Sequence, residues 1–307
     1  MSTRYDGPIV DAHQHFWTLA GNRHPWLAPG VLVPHRYGDY SAIKRDYLPA
    51  DYRRDGADHQ VVGTVYVEAE WDPATPLDET RFVTRLAQLT GLPNAMAAQA
   101  WLDRDDVADL LAAQCRFALV RSIRHKPAHA GDGPTLMSDA RWRDGYAQLA
   151  QHGLHFELQA PWRHLHEAAA LARNFPQTLL IVNHAGVPGD RSDATLNGWR
   201  DGLAALAALP NTAVKVSGLC ETGKPWSVEA NRAVLETLRA LFGADRLMFG
   251  SNFPVDGLFL SLDALIAGFG TLVSAWRPSE QRAFFHDTAM RVYRPVDLSN
   301  PTSRTLS

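Results

Sequence analysis

Residues 9–17 read IVDAHQHFW. Successive side chains of a β-strand point to opposite faces, so the alternation predicts His13 and His15 on one side with Ile9 and Asp11, and Val10 and Ala12 on the other. Two imidazoles then converge at the end of a strand predicted over 9–13. Short β-branched or apolar runs recur at 61–67, 95–101, 117–123, 155–159, 178–183, 212–217 and 246–251. Amphipathic stretches separate them, among them LDETRFVTRLAQLTG, RHLHEAAALARNF and EANRAVLETLRALFG, several closed by a Gly or Asn suited to a helix C-cap. Eight strand-helix units in roughly the usual ~250 residues plus insertions predict a single-domain (β/α)8 TIM barrel. A doubly wound open sheet is the alternative arrangement of the same units.

The chain has 307 residues, 46% of them hydrophobic, enough for one large core. The barrel is expected over 1–294, with a 16–60 insertion after the first strand. That insertion contains NRHPWLAPGVLVPHRYGDYS, rich in Pro, Gly and aromatic residues and too long for an ordinary βα loop, so it reads as an ordered cover over the barrel mouth. The tail, 295–307, is polar with two prolines and reads as loosely packed. A net charge of −3 without a basic stripe argues against a nucleic-acid partner, and no apolar run reaches the length of a membrane span. Cys115 and Cys220 are too few for a disulfide framework, and MSTRYDGPIV lacks a charged-then-apolar leader pattern. The expectation is a soluble, cytoplasmic protein acting on a small molecule, its oligomeric state left open.

Barrel enzymes build their sites from the C-terminal ends of the strands. Those positions are polar here. His13 and His15 end the first strand, Glu68 and Glu70 the second, Arg124 and His125 the fourth, Asn183 and His184 the sixth, and Asn252 and Asp256 follow the eighth. In HFELQ, His155, Glu157 and Gln159 share a face, and in VKVSG Lys215 and Ser217 do, which turns polar side chains to the axis and apolar ones to the helices. His155 opens its strand and reads as structural. A lysine is costly to bury without an anion, so Glu157 or a substrate anion should face Lys215. Six of the nine tryptophans, Trp71 and Trp101 among them, fall at or just past strand ends. There a flat apolar face with one N–H donor suits a sugar-like ring, while anchoring a loop is the plainer role for any single one.

This ordered set of motifs resembles the amidohydrolase superfamily, in its amidohydrolase-related branch of sugar-acid and muconate-type lactonases. The resemblance is carried by IVDAHQHFW, VYVEAEWDP, IRH, FELQ, IVNHAG, VKVSGL and RLMFGSNFPVD, and it extends to Tyr293. It implies a TIM barrel and hydrolysis of a sugar-acid or dicarboxylate lactone by attack of water on the ring carbonyl. It also implies a divalent metal, zinc above all, although some lactonases of this branch are thought to work without one. Carried over residue by residue, His13 and His15 match the strand-one ligand pair and His184 the strand-six ligand; three imidazoles with an open position suit zinc. Arg124, His125 and Lys215, together with Glu68, Gln159, Trp71 and Trp101, would bind substrate.

Two positions depart from the pattern. Gln159 stands where the superfamily carries a metal-bridging histidine, which argues against a binuclear centre. Asn252 replaces the strand-eight aspartate that usually activates water, and an amide takes no proton near pH 7 and is a weak metal ligand. Asp256, two residues after the stiffening Pro254, is the first candidate for the missing base. Glu68 or Glu157 are the alternatives, and histidines working without metal are a third outcome; His184 and Asn252 complete the expected catalytic set. A metal-assisted decarboxylase is the competing enzymatic reading, and a barrel that binds a sugar acid without turnover the non-enzymatic one.

Overall fold

The computed structural model describes residues 4–21, 23–128 and 133–298. Its eight strands are β1 (Ile9–Gln14), β2 (Val61–Val67), β3 (Ala95–Gln99), β4 (Val120–Arg124), β5 (His155–Leu158), β6 (Leu180–Val182), β7 (Thr212–Val216) and β8 (Leu247–Phe249). They pair in parallel and in chain order, with a helix after each. The cylinder closes where β1 meets the segment after β8: the Asn252 N–H donates to the His13 carbonyl at 2.7 Å and the His15 N–H to the Phe253 carbonyl at 2.8 Å. The fold is therefore a single-domain (β/α)8 TIM barrel and not an open doubly wound sheet. Three of the outer helices begin at serines, Ser192, Ser227 and Ser261, whose hydroxyls accept the backbone N–H three residues on.

Several strands end earlier than the apolar runs do. β6 stops at Val182 and β8 at Phe249, because the next residues turn away from the ladder. Glu70, His184, Ala185, Val187 and Asn252 all hold positive φ, between 47° and 56°. Left-handed backbone costs a non-glycine residue of order 1–3 kcal/mol, and such strain gathers at functional sites. Here it gathers at the barrel mouth.

The simple alternation expected for 9–17 is corrected by a bulge. Between Asp11 and Gln14 β1 advances three residues while β2 advances two, from Thr64 to Tyr66. Val10 and Ala12 consequently face the barrel interior, in a cluster with Val65, Ala95, Ile181 and Met248. Asp11 faces outward, and the extra residue returns His13 and His15 to the interior side, where His13 packs against Gly250. Tyr293, Val292 and Ala289 join the same interior cluster from a helix at Thr288–Tyr293, which plugs the bottom of the barrel.

Above that apolar floor lies a sealed polar layer. Glu157 and Lys215 are both fully buried, with Nζ 2.9 Å from Oε2. The same carboxylate accepts the Tyr293 hydroxyl at 2.5 Å, the Ser122 hydroxyl at 3.1 Å and the Asn183 amide at 2.5 Å. Glu157 is thus the anion that faces Lys215. Burial pulls the Lys215 pKa down while Glu157 pushes it back up.

Between β1 and β2, residues 15–21 and 23–60 are packed through their aromatic side chains. Trp17 and Tyr47 exchange two backbone hydrogen bonds of 3.0 Å, and Tyr37, Tyr40 and Tyr52 are buried. The described start of the tail, 295–298, is held in place. Val296 donates to the Asn94 carbonyl at 2.8 Å and accepts from the Asn94 amide at 3.1 Å, and Leu298 is buried. The expected tail from 299 onward lies outside the described residues. Among the described residues no helix is long and apolar enough to cross a membrane.

Removing one member of a buried ion pair leaves the other charge uncompensated, at a cost of about 3–5 kcal/mol. Lys215→Met should lower the unfolding free energy by about that amount, read from urea denaturation at pH 7. A loss of under about 1 kcal/mol would contradict the pair's role as an internal strut.

Candidate active site

A cavity of about 260 Å³ opens at the C-terminal ends of the strands. Its walls include His15 after β1, Arg124 at the end of β4, Gln159 after β5, His184 after β6 and Asn252 after β8. The 15–60 segment contributes Trp17, Trp26 and the run Val33–Pro34–His35–Arg36. That size is just under the roughly 300–1,000 Å³ typical of drug-sized ligands, and suits one small ring.

Three imidazoles converge at its base. The His13 ring lies 5.1 Å from that of His15 and 4.5 Å from that of His184, centroid to centroid. His15 and His184 face the cavity, and His13 sits fully buried behind them. Each facing ring is oriented through Nδ1, which in His15 donates to the Val67 carbonyl at 2.8 Å and in His184 meets the Ser217 hydroxyl at 3.0 Å. Both ring nitrogens of His13 lack a hydrogen-bond partner. Burial holds the pKa values of all three low, His15 to about 3, with Arg124 and Lys126 or neighbouring histidines adding to the effect. At neutral pH the rings carry no charge and keep lone pairs to offer.

That donor set fits a divalent metal. Neutral imidazoles are the ligand form, outer-layer hydrogen bonds such as those of Val67 and Ser217 are what orients metal-binding histidines, and the unpartnered nitrogens of His13 are costly to bury without a ligand. Among the described residues no group of three or more His, Cys, Asp or Glu side chains is arranged to hold a metal ion. The fit therefore rests on the donor chemistry and the orphaned His13.

The carboxylates divide into paired and free. Glu68 is buried against Arg124, whose Nε donates to Oε1 at 2.5 Å and whose Nη2 donates to the Glu68 carbonyl, while Nη1 reaches Gln159 at 3.1 Å. Glu70 pairs with Lys126. Glu157 is committed to Lys215 one layer down, so Glu68 and Glu157 do not line this cavity, whereas the paired Glu70 does. Asp256 lies behind Asn252. Its Oδ1 accepts from the Asn252 amide at 2.7 Å and from the Tyr37 hydroxyl at 3.1 Å, and its Oδ2 has no hydrogen-bond partner. Burial raises the Asp256 carboxyl to about 6 against the opposing pull of Arg36 and of hydrogen bonds from Asn252 and Tyr37.

The remaining predicted residues stand to one side. His125 accepts the Leu102 N–H at 3.0 Å and the Trp142 indole N–H at 2.9 Å on Nδ1, and stacks on Trp101 at 5.7 Å. Trp71 donates to Thr75 at 3.1 Å. Trp71, Trp101 and His125 line a second, mainly apolar cavity that shares Trp26, Glu70, Arg124 and Lys126 with the first. Trp17 and Trp26 are among the six strand-end tryptophans suited to a sugar-like ring, and both line the cavity. Sequence reasoning missed Arg36, His35 and Lys126 as cavity residues; the only signal for the first two was the aromatic density of HPWLAPGVLVPHRY, and nothing in its spacing indicates which side chains turn inward.

Comparison with known proteins bears on this geometry. The family described as Amidohydrolase matches residues 10–294. A protein from Sinorhizobium fredii, itself uncharacterized, is 37% identical over 296 residues, covering 94% of this chain and 99% of that one. An L-fucono-1,5-lactonase from Burkholderia multivorans is 30% identical over 301 residues, covering 92% and 95%. The crystal structure of a Burkholderia multivorans amidohydrolase with bound zinc superposes with a TM-score of 0.81 at 27% identity, covering 94% of this chain and all of that one. With a barrel of this order, imidazoles at the ends of the first and sixth strands and a match over nearly its full length, this chain belongs to the amidohydrolase family and is a hydrolase of that superfamily's lactonase-like branch.

Proposed function

We propose that the protein opens a small sugar-acid or dicarboxylate lactone, and the observation that carries this reading is the set of three uncharged imidazoles meeting beside a 260 Å³ cavity. The lactonase name of a 30% identical relative supports it. Water adds its oxygen to the ring carbonyl carbon, the ring C–O bond breaks, the ring oxygen takes a proton, and the resulting hydroxy acid releases one at neutral pH. His13, His15 and His184 would hold a zinc-like ion, which when bound polarises a carbonyl and lowers the pKa of water. Arg124 and Gln159, locked to each other, form a rigid wall that orients the ring.

Asp256 is assigned the base. Glu68 and Glu157 are each tied to a buried cation, whereas Asp256 keeps an unpartnered oxygen and a proton affinity near the working pH. Its side chain reaches the water by turning past Asn252, which in the resting arrangement holds it by the amide.

Three outcomes test this. Proton release should be seen with a pH indicator on a panel of five- and six-membered sugar-acid lactones; silence across the panel with carbon dioxide release from aromatic carboxylates would replace hydrolysis by decarboxylation. Protein purified without chelator should hold about one zinc-like ion per chain, and His13→Ala should lose ion and activity together; less than about a tenth of an ion per chain in active protein removes the metal. Because a base must be deprotonated, kcat/KM should rise with pH through about 6 and level above it. Asp256→Asn should cost about 10²–10⁴-fold and abolish that limb, and a retained limb would move the base elsewhere.

A further inference from the structure

We propose that Arg36 forms an anion subsite beside His184, so that the lactone this cavity takes carries a carboxylate in addition to its ring ester. The inference rests on the lactonase reading of the same cavity and narrows it.

Three permanent cations line the cavity: Arg36, Arg124 and Lys126. Arg124 is used up internally by the Glu68 side chain, the Glu68 carbonyl and Gln159, and Lys126 is paired with Glu70. Among the described residues no carboxylate lies within ion-pair distance of Arg36. Among the described residues Arg36 is thus the one cavity cation without an ion-pair partner; it is exposed, and the buried Asp256 carboxyl feels it electrostatically without meeting it.

Arg36 is also positioned. Its carbonyl accepts the Thr222 hydroxyl at 2.7 Å, and its guanidinium carbon lies 4.4 Å from the centroid of the Tyr37 ring, itself buried and hydrogen-bonded to Asp256. Gly218 supplies the space. A Cβ there would come within 2.3 Å of an Arg36 terminal nitrogen and 2.6 Å of His184 Nδ1, so the guanidinium and the imidazole share the gap that the missing side chain leaves. Gly218 holds φ +58°, a conformation that itself favours glycine.

A guanidinium presents a planar fork of N–H donors that matches a carboxylate in charge and geometry. The small cavity leaves room for a ring and one such group. A neutral lactone of the same ring would leave the guanidinium fork without a partner.

The test compares an aldaric-acid monolactone, which bears a free carboxylate, with the aldonolactone of the same ring size and configuration, which does not. The wild type should turn over the aldarolactone with the higher kcat/KM. In Arg36→Gln the ratio of the two kcat/KM values should fall tenfold or more, chiefly through KM for the carboxylated substrate, and Arg36→Lys should recover part of it. An unchanged ratio in Arg36→Gln overturns the subsite. If neither lactone is hydrolysed, the lactonase reading fails, and the subsite is still tested by binding. The open-chain aldarate should then raise the melting temperature of the wild type more than the matching aldonate does, and this difference should vanish in Arg36→Gln; equal shifts in the wild type overturn it.

Discussion

Asp11 is the constraint on which the mouth of this barrel depends. Fully buried, it accepts the Ser251 N–H at 2.8 Å and the His13 N–H at 3.1 Å on one oxygen, and the Tyr52 hydroxyl at 2.7 Å on the other. These contacts join β1, the segment after β8 and the first helix of the 15–60 segment. The bulge that follows Asp11 lets the carboxylate face out to make them while His13 and His15 turn in. A regular strand could satisfy one of these demands, not both, since its side chains alternate strictly. The same seam sets Asn252, whose N–H is bound by the His13 carbonyl, and through Asn252 the placement of Asp256.

Charge is arranged in depth around that seam. At the lowest polar layer Glu157 and Lys215 neutralise each other, and nearer the mouth Glu68 does the same for Arg124. Internal pairing makes these groups rigid and keeps their charge away from a ligand. Three groups remain with capacity to spare: the unprotonated imidazoles, one oxygen of Asp256, and the guanidinium of Arg36. Burial and nearby cations keep the imidazoles neutral, which is what a ligand-binding nitrogen requires. Left-handed turns at His184 and Asn252 bend the chain sharply enough to bring these side chains over the barrel axis.

Much of the barrel is legible in the sequence because its signals are periodic. The eight strands, the helices between them and the polar ends that face the axis follow from alternation at period two and from the 3.6-residue repeat. Lys215 between valines announces a buried anion, and Glu157 supplies it. Legibility stops where periodicity does. The bulge in β1 has no residue signature in IVDAHQHFW, so the faces assigned to Asp11, Val10 and Ala12 come out reversed relative to the histidines. Arg36 lies in an irregular segment whose inward side chains are chosen by tertiary packing against Tyr37 and Gly218. The short hold of Val296 on Asn94 is likewise a tertiary contact that a polar tail does not advertise.

The central claim is that His13, His15 and His184 act as one ligand-binding face. The most direct test is anomalous diffraction at the zinc edge from crystals of the protein grown with zinc. The account predicts a single strong peak among the three imidazoles, about 2.0–2.1 Å from their ring nitrogens. A peak elsewhere with none at this cluster, or no bound zinc at all, would contradict it.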